Sequence, residues 1–191
     1  MSIETRASLL MRLRSAEDTA AWADFLAIYE PVIYRLARAR GLQDADAREV
    51  TQDVLLAVAG AIHRFDPTGK PRFAGWLARI TRNAAIDRIR RSSLRGGGGS
   101  DFFRLLEQVP DTSDESSLFE LERRRALFRF AAARVRETVS DSSWQAFWAT
   151  AVEGQEPAGV AKRLRVSVGA VYVARCRVLA KIKTAVTEAD E

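Results

Sequence analysis

Cysteine and histidine are almost missing from this chain of 191 residues: Cys176 and His63 each stand alone. A single cysteine makes no intrachain disulfide and no thiolate metal cluster. A single histidine removes most zinc sites and most nucleophile–histidine–acid arrangements, and His63 reads as a helix-end residue satisfied locally. No apolar run approaches the roughly 18 residues of a membrane span, and the N-terminal MSIETRASLLMRLRS lacks the apolar centre of a signal peptide. Nor does any stretch read clearly as a strand. These absences predict a soluble, cytoplasmic protein in a reducing compartment, with no cofactor, no metal and no membrane segment.

What is present is apolar content and positive charge. Hydrophobic residues make up 47% of the chain, enough to build cores. The net charge of +5 and the pI near 9.9 favour an anionic partner. The charge is unevenly placed: net +4 over residues 1–92, −2 over 93–126 and +3 over 127–191. Two basic blocks flank an acidic middle.

Helical periodicity dominates the first block. Residues 5–14 read as a short helix with Leu9, Leu10 and Leu13 on one side. Ala20 to Arg40 reads as a second, with Trp22, Phe25, Leu26, Tyr29, Ile33 and Leu36 at helical spacing. Pro31 is expected to kink or break it, and Gly41 to end it. A third, capped by Asp44 or Asp46, runs to about Ile62 and buries Val50, Val54, Leu55, Val58 and Ile62. Its opposite face carries Arg48, Glu49, Gln52 and Asp53. Asp66-Pro67 and Thr68-Gly69 mark a loop. A fourth helix follows with an apolar stripe of Phe73, Trp76, Leu77, Ile80 and Ala84, while Arg79, Arg82, Asn83, Ile86 and Arg90 project from the other side. Residues 64–91 hold eight Lys/Arg against two acids. Guanidinium groups and an amide opposite an aromatic stripe suit a nucleic-acid backbone and exposed bases; a solvated charged face is the plainer alternative.

Residues 93–122 read as a flexible linker with one weak internal helix: glycines from Gly96 to Gly99, an apolar patch of Phe102, Phe103, Leu105 and Leu106, then the acidic VPDTSDESS. Extended, about 30 residues reach roughly 100 Å. Helical patterning resumes over Leu121–Val139, with Leu127, Phe128, Ala131 and Val135 inward. Ser140 offers an N-cap, Trp144, Phe147, Trp148 and Ala151 line the next helix, and Gly154 closes it. Pro157 fits the first turn of a short helix, which meets a last helix over Val168–Val186 through the turn at Val166-Ser167. This is a helix-turn-helix, and residues 158–183 carry seven basic groups and no acid.

The wording of these segments adds a resemblance. FDP…FxxWLxRIxRNxxIDxxRR resembles the −10-recognition segment of extracytoplasmic-function (ECF) RNA polymerase sigma factors of the sigma-70 family. DADAREVTQDVLLAV resembles the family segment that docks on the clamp coiled coil of the polymerase's largest subunit. VAKRLRVSVGAVYVARCRVLAKI resembles its −35-recognition segment. The resemblance implies an all-α fold of two small helical domains: region 2 over 1–92, a linker over 93–122, and region 4 over 123–191. It implies that Glu49, Gln52, Asp53 and Leu56 meet core polymerase. Arg72, Phe73, Trp76, Arg79, Arg82, Asn83, Arg88 and Arg90 would serve the −10 element, with the loop from Phe65 to Arg72 forming a pocket for a flipped base. For Trp76 and Phe73, core packing and stacking on DNA both stay open. Lys162, Arg163, Gly169, Ala170, Tyr172, Val173, Arg177 and Lys181 would serve the −35 element.

This last segment departs from the family. Arg165 stands where the family often has Gly, and Ala170, Tyr172, Val173 and Ala174 replace its usual polar and basic residues. The family's base contacts therefore do not carry over. The outward face would instead touch thymine methyls, with Arg177 reaching a base or phosphate and DNA shape contributing to specificity. The resulting expectation is an alternative sigma factor, with core RNA polymerase and promoter DNA as partners and no catalysis of its own; an anti-sigma factor stays open as a third partner. The alternatives are a stand-alone helix-turn-helix transcriptional regulator, a helical adaptor binding only proteins, and an enzyme. The last lacks any phosphate loop, metal cluster or nucleophile–base pair in the sequence.

Overall fold

The computed structural model describes residues 7–66, 72–96 and 113–190. Every regular element among them is helical, so the protein is all-α. None of these helices is long and apolar enough to cross a membrane. Contacts divide the chain into two compact units, one ending at Ala126 and the other spanning Leu127–Asp190.

The first unit opens with α1 (Ala7–Arg12) and α2 (Thr19–Ala39). One carboxylate joins them. Asp18 accepts two bonds of 2.8 Å from the Arg12 guanidinium and caps α2 by accepting from the Ala21 amide at 2.9 Å. Arg12 and then Ala21 hold the Asp18 carboxyl below its ordinary range. The α2 helix runs through Pro31 without breaking. Ile28, Tyr29, Val32 and Ile33 are buried on both sides of the proline, so packing offsets the missing N–H bond. Gly41, at φ 85°, follows its end as expected.

Helix α3 (Asp44–Ala61) starts with Asp44 and Asp46 in its first turn, where the helix dipole favours carboxylates. A 3-10 turn, Ile62–Arg64, extends it. Val50, Val54, Val58 and Ile62 are buried as expected, and Leu55 is half-buried. Helix α4 (Phe73–Gly96) differs from its expected stripe. Phe73, Leu77, Thr81 and Ala85 are buried, while Trp76, Ile80 and Ala84 are half-buried. The stripe is turned by one residue because Thr81 satisfies its hydroxyl inside the helix, donating to the Leu77 carbonyl at 2.9 Å. Ile86, expected outward, turns inward with it.

Helix α5 (Ser113–Arg136) begins inside the stretch read as linker, and the boundary between the units falls within it. Its earlier half buries Phe119, Glu122, Arg123 and Ala126. Glu122 lies 3.2 Å from Arg35 of α2 and 2.6 Å from Arg125. Ion pairing with these two guanidinium groups offsets part of the cost of burying Glu122. The glycine run Gly97–Gly99 and the patch of Phe102, Phe103, Leu105 and Leu106 lie outside the described residues.

The second unit is built from Leu127–Arg136 of α5, α6 (Asp141–Phe147), α7 (Pro157–Leu164) and α8 (Val168–Asp190). Ser140 caps α6, accepting from the Ser143 amide at 3.4 Å. Pro157 opens α7 as expected. Ala131, Ala132, Val135, Phe147, Val178 and Ile182 form one core cluster. Ala146, Ala149, Val160, Ala161 and Val171 form a second, where α7 crosses α8. A π-helical turn over Trp148–Val152 follows α6. Its wider winding turns Ala151, expected inward, out to solvent.

The turn of the helix-turn-helix is closed by Arg165 in the left-handed region, at φ 56° and ψ 44°. The Val166 amide reaches back to the Ala161 carbonyl at 3.0 Å, closing the cap. An L side chain pays for this conformation and glycine does not. Arg165→Gly should therefore stabilise the second unit by about 0.5–1 kcal/mol in denaturant unfolding of the full chain. A loss of stability would mean that the Arg165 side chain contributes more than its backbone costs.

Candidate nucleic-acid interface

Arg72, Trp76, Arg79, Asn83 and Arg90 follow one another at helical spacing along α4 and its first flanking residue. Arg72, Arg79, Asn83 and Arg90 are exposed, and Trp76 is half-buried. The stripe spans about 27 Å at 1.5 Å per residue. It offers guanidinium groups, one amide with both donor and acceptor, and part of an indole face.

An aromatic cluster fixes the head of this stripe. Phe73 is only 4% exposed. Its ring centroid lies 5.4 Å from Tyr29, 5.6 Å from Phe65 and 6.1 Å from Phe25, edge to face in each case. Of the two roles left open for Phe73, this burial supports core packing: its ring is enclosed by other rings. Trp76 rests on Phe65 at 4.9 Å and on Phe73 at 5.5 Å, leaving the indole partly open. The Arg14 guanidinium donates to the Phe65 carbonyl at 2.8 Å and holds that ring's backbone in place. Residues 67–71 of the expected base pocket lie outside the described residues.

Arg82 and Arg88 differ from the exposed stripe. Arg82 is half-buried and lines a groove with Leu36, Arg40, Ala78 and Leu118. Arg88 turns toward α3. It donates to Asp46 through two nitrogens, at 2.5 and 2.9 Å, and pairs with Glu49. Asp46 above all raises the Arg88 pKa. Arg88 thus ties α4 to α3, and Glu49 is drawn into the same contact.

The outer face of α3 presents Glu49, Gln52 and Asp53 beside Leu56, which is 71% exposed. An apolar side chain so open among acids and an amide suits docking against another helix. Next to it, a groove between α2 and α3 is lined by Pro31, Tyr34, Arg48, Gln52 and Leu55. Here Tyr34 donates to Asp44 at 2.5 Å and Arg48 donates to the same carboxylate at 2.9 Å. Tyr34 and then Arg48 hold the Asp44 carboxyl below its ordinary range, and Asp44 raises the Tyr34 phenol. Sequence reasoning missed this cluster. Its one local signal was the four-residue spacing of Asp44 and Arg48.

In the second unit, Lys162 and Arg163 of α7 and Gly169, Ala170, Tyr172, Val173 and Arg177 of α8 are all exposed. Lys181 is exposed as well, and its ammonium donates to the Thr138 carbonyl and hydroxyl, each at 3.3 Å. Val166 and Val168, absent from the expected interface, are also open to solvent.

Residues 25–95 match the family model of sigma-70 region 2. Over 71 residues, 37% of this chain, the sequence is 31% identical to the ECF RNA polymerase sigma factor SigE of Mycolicibacterium smegmatis. The matched stretch spans 26% of that protein, about a quarter of its length.

Proposed function

We propose that this chain, whose residues 25–95 match the sigma-70 region 2 family model, is an alternative sigma factor of the ECF group. It binds core RNA polymerase, recognises promoter −10 and −35 elements, and directs transcription initiation, while nucleotide chemistry stays with the polymerase. One observation carries the reading. The segment matching region 2 includes α3 and α4, which turn two chemically different faces to solvent. The α3 face, with Glu49, Gln52, Asp53 and Leu56, docks on the clamp coiled coil of the largest subunit. The α4 stripe takes the −10 strand: Arg79 and Asn83 contact bases, Arg72 and Arg90 contact phosphates, and Trp76 supports a displaced base. Extruding a base costs a few kcal/mol, which a positive groove offsets. The helix-turn-helix of the second unit takes the −35 element. A cytoplasmic location accompanies this reading.

Gln52→Ala combined with Asp53→Ala tests the docking face. Both side chains are exposed, so stability should hold within about 0.5 kcal/mol. Affinity for core polymerase, read by fluorescence anisotropy, should fall about tenfold. Unchanged affinity would remove α3 from the interface.

A further inference from the structure

The beginning of α8 has little with which to read bases by hydrogen bonds. From Val166 to Ala174 the side chains are apolar or absent except at Ser167 and Tyr172. The Ser167 hydroxyl is already engaged, accepting from the Ala170 amide at 3.1 Å as the helix cap. Yet this surface is open: Val168 is 42% exposed, Tyr172 50% and Val173 48%. The cations Lys162, Arg163 and Arg165 precede it, Arg177 follows it, and no acid occurs from 158 to 183. An apolar patch flanked only by cations is complementary to a polyanion that carries apolar groups at the same depth.

Gly169 leaves the backbone bare in the first turn of α8 on this exposed surface, and a side chain there would meet only the Ser167 hydroxyl, at 3.8 Å.

We infer that α8 reads its promoter element by packing Val168, Gly169, Tyr172 and Val173 against thymine 5-methyl groups in the major groove, while the flanking cations hold phosphates. The inference rests on the proposed function and specifies the chemistry of its upstream contact. The thymine methyl is the apolar group that the major-groove edge presents, and guanine and adenine are read there through hydrogen bonds.

The test uses the full chain, alone and assembled with core polymerase, to select duplexes from a pool randomised upstream of a fixed −10 region. Each thymine of the selected element is then replaced by deoxyuridine, which removes only the methyl. The selected element should be thymine-rich. Each contacted methyl, worth about 0.8 kcal/mol, should change affinity about fourfold when deleted. Val173→Ala, an exposed substitution, should abolish that penalty at one position. Arg177→Ala should weaken thymine and deoxyuridine duplexes alike. Gly169→Ala, which meets no clash inside the protein, should lower affinity without loss of thermal stability.

A guanine-rich element indifferent to deoxyuridine would overturn the inference and leave the sigma-factor reading intact. Failure to bind polymerase would overturn that reading, while the duplexes bound by the chain alone still score the methyl dependence. Methyl-independent binding, with Val173→Ala instead altering self-association or binding to anionic lipid vesicles, would assign the patch to those partners and overturn the inference.

Discussion

Replacing Arg79 and Asn83 together by alanine should lower promoter opening about 30- to 25,000-fold and leave affinity for core polymerase unchanged. The two residues are four apart on α4 and both are exposed. Neither is part of the buried stripe formed by Phe73, Leu77, Thr81 and Ala85. Removing them should therefore cost the fold little. Each lost contact to a base or to the displaced strand is worth about 1–3 kcal/mol, and two together give the range stated. The measurement is open-complex formation by permanganate reactivity of unpaired thymines, alongside polymerase binding by anisotropy. Equal losses in both would mean that the α4 stripe supports the polymerase interface instead.

Phe73→Ala should destabilise the first unit by about 3–5 kcal/mol, the usual cost of deleting a buried phenyl ring. The ring meets Phe25, Tyr29, Phe65 and Trp76 at once. Its loss opens a cavity bordered by α2, α4 and the segment after α3. Trp76→Ala, at the half-buried neighbour, should cost less stability but more promoter melting, because its exposed part is the portion available to a base. Denaturant unfolding of the full chain followed by tryptophan fluorescence separates the two variants. A loss below about 1 kcal/mol for Phe73→Ala would return this ring to the set of DNA contacts.

Several local signals in the sequence survived comparison with the fold, but two did not: Gln43, not Asp44 or Asp46, takes the cap position of α3 and makes no side-chain cap bond, and α2 runs through Pro31. The α3 stripe of Val50, Val54, Val58 and Ile62, the glycine after α2, the serine cap of α6 and the proline opening α7 each express a rule spanning only a few residues. What stayed hidden depends on partners distant in sequence or on local satisfaction of polar groups. Thr81 looks polar but is buried because its hydroxyl bonds within its own helix. Glu122 and Arg123 look like surface charge, yet both are interior, and Glu122 is paired with Arg35. Arg88 looked like one more cation on the basic helix, and its turn toward Asp46 and Glu49 across about forty residues of sequence appears only when α3 packs on α4. The π-helical turn has no composition signal of its own, and it shifted the expected position of Ala151.

The central claim is tested most directly by mixing the purified chain with bacterial core RNA polymerase and transcribing a pool of genomic fragments. The account predicts tight binding and new, defined start sites preceded by a shared pair of elements. Good binding to duplex DNA without any affinity for core polymerase would contradict it and establish a stand-alone helix-turn-helix regulator.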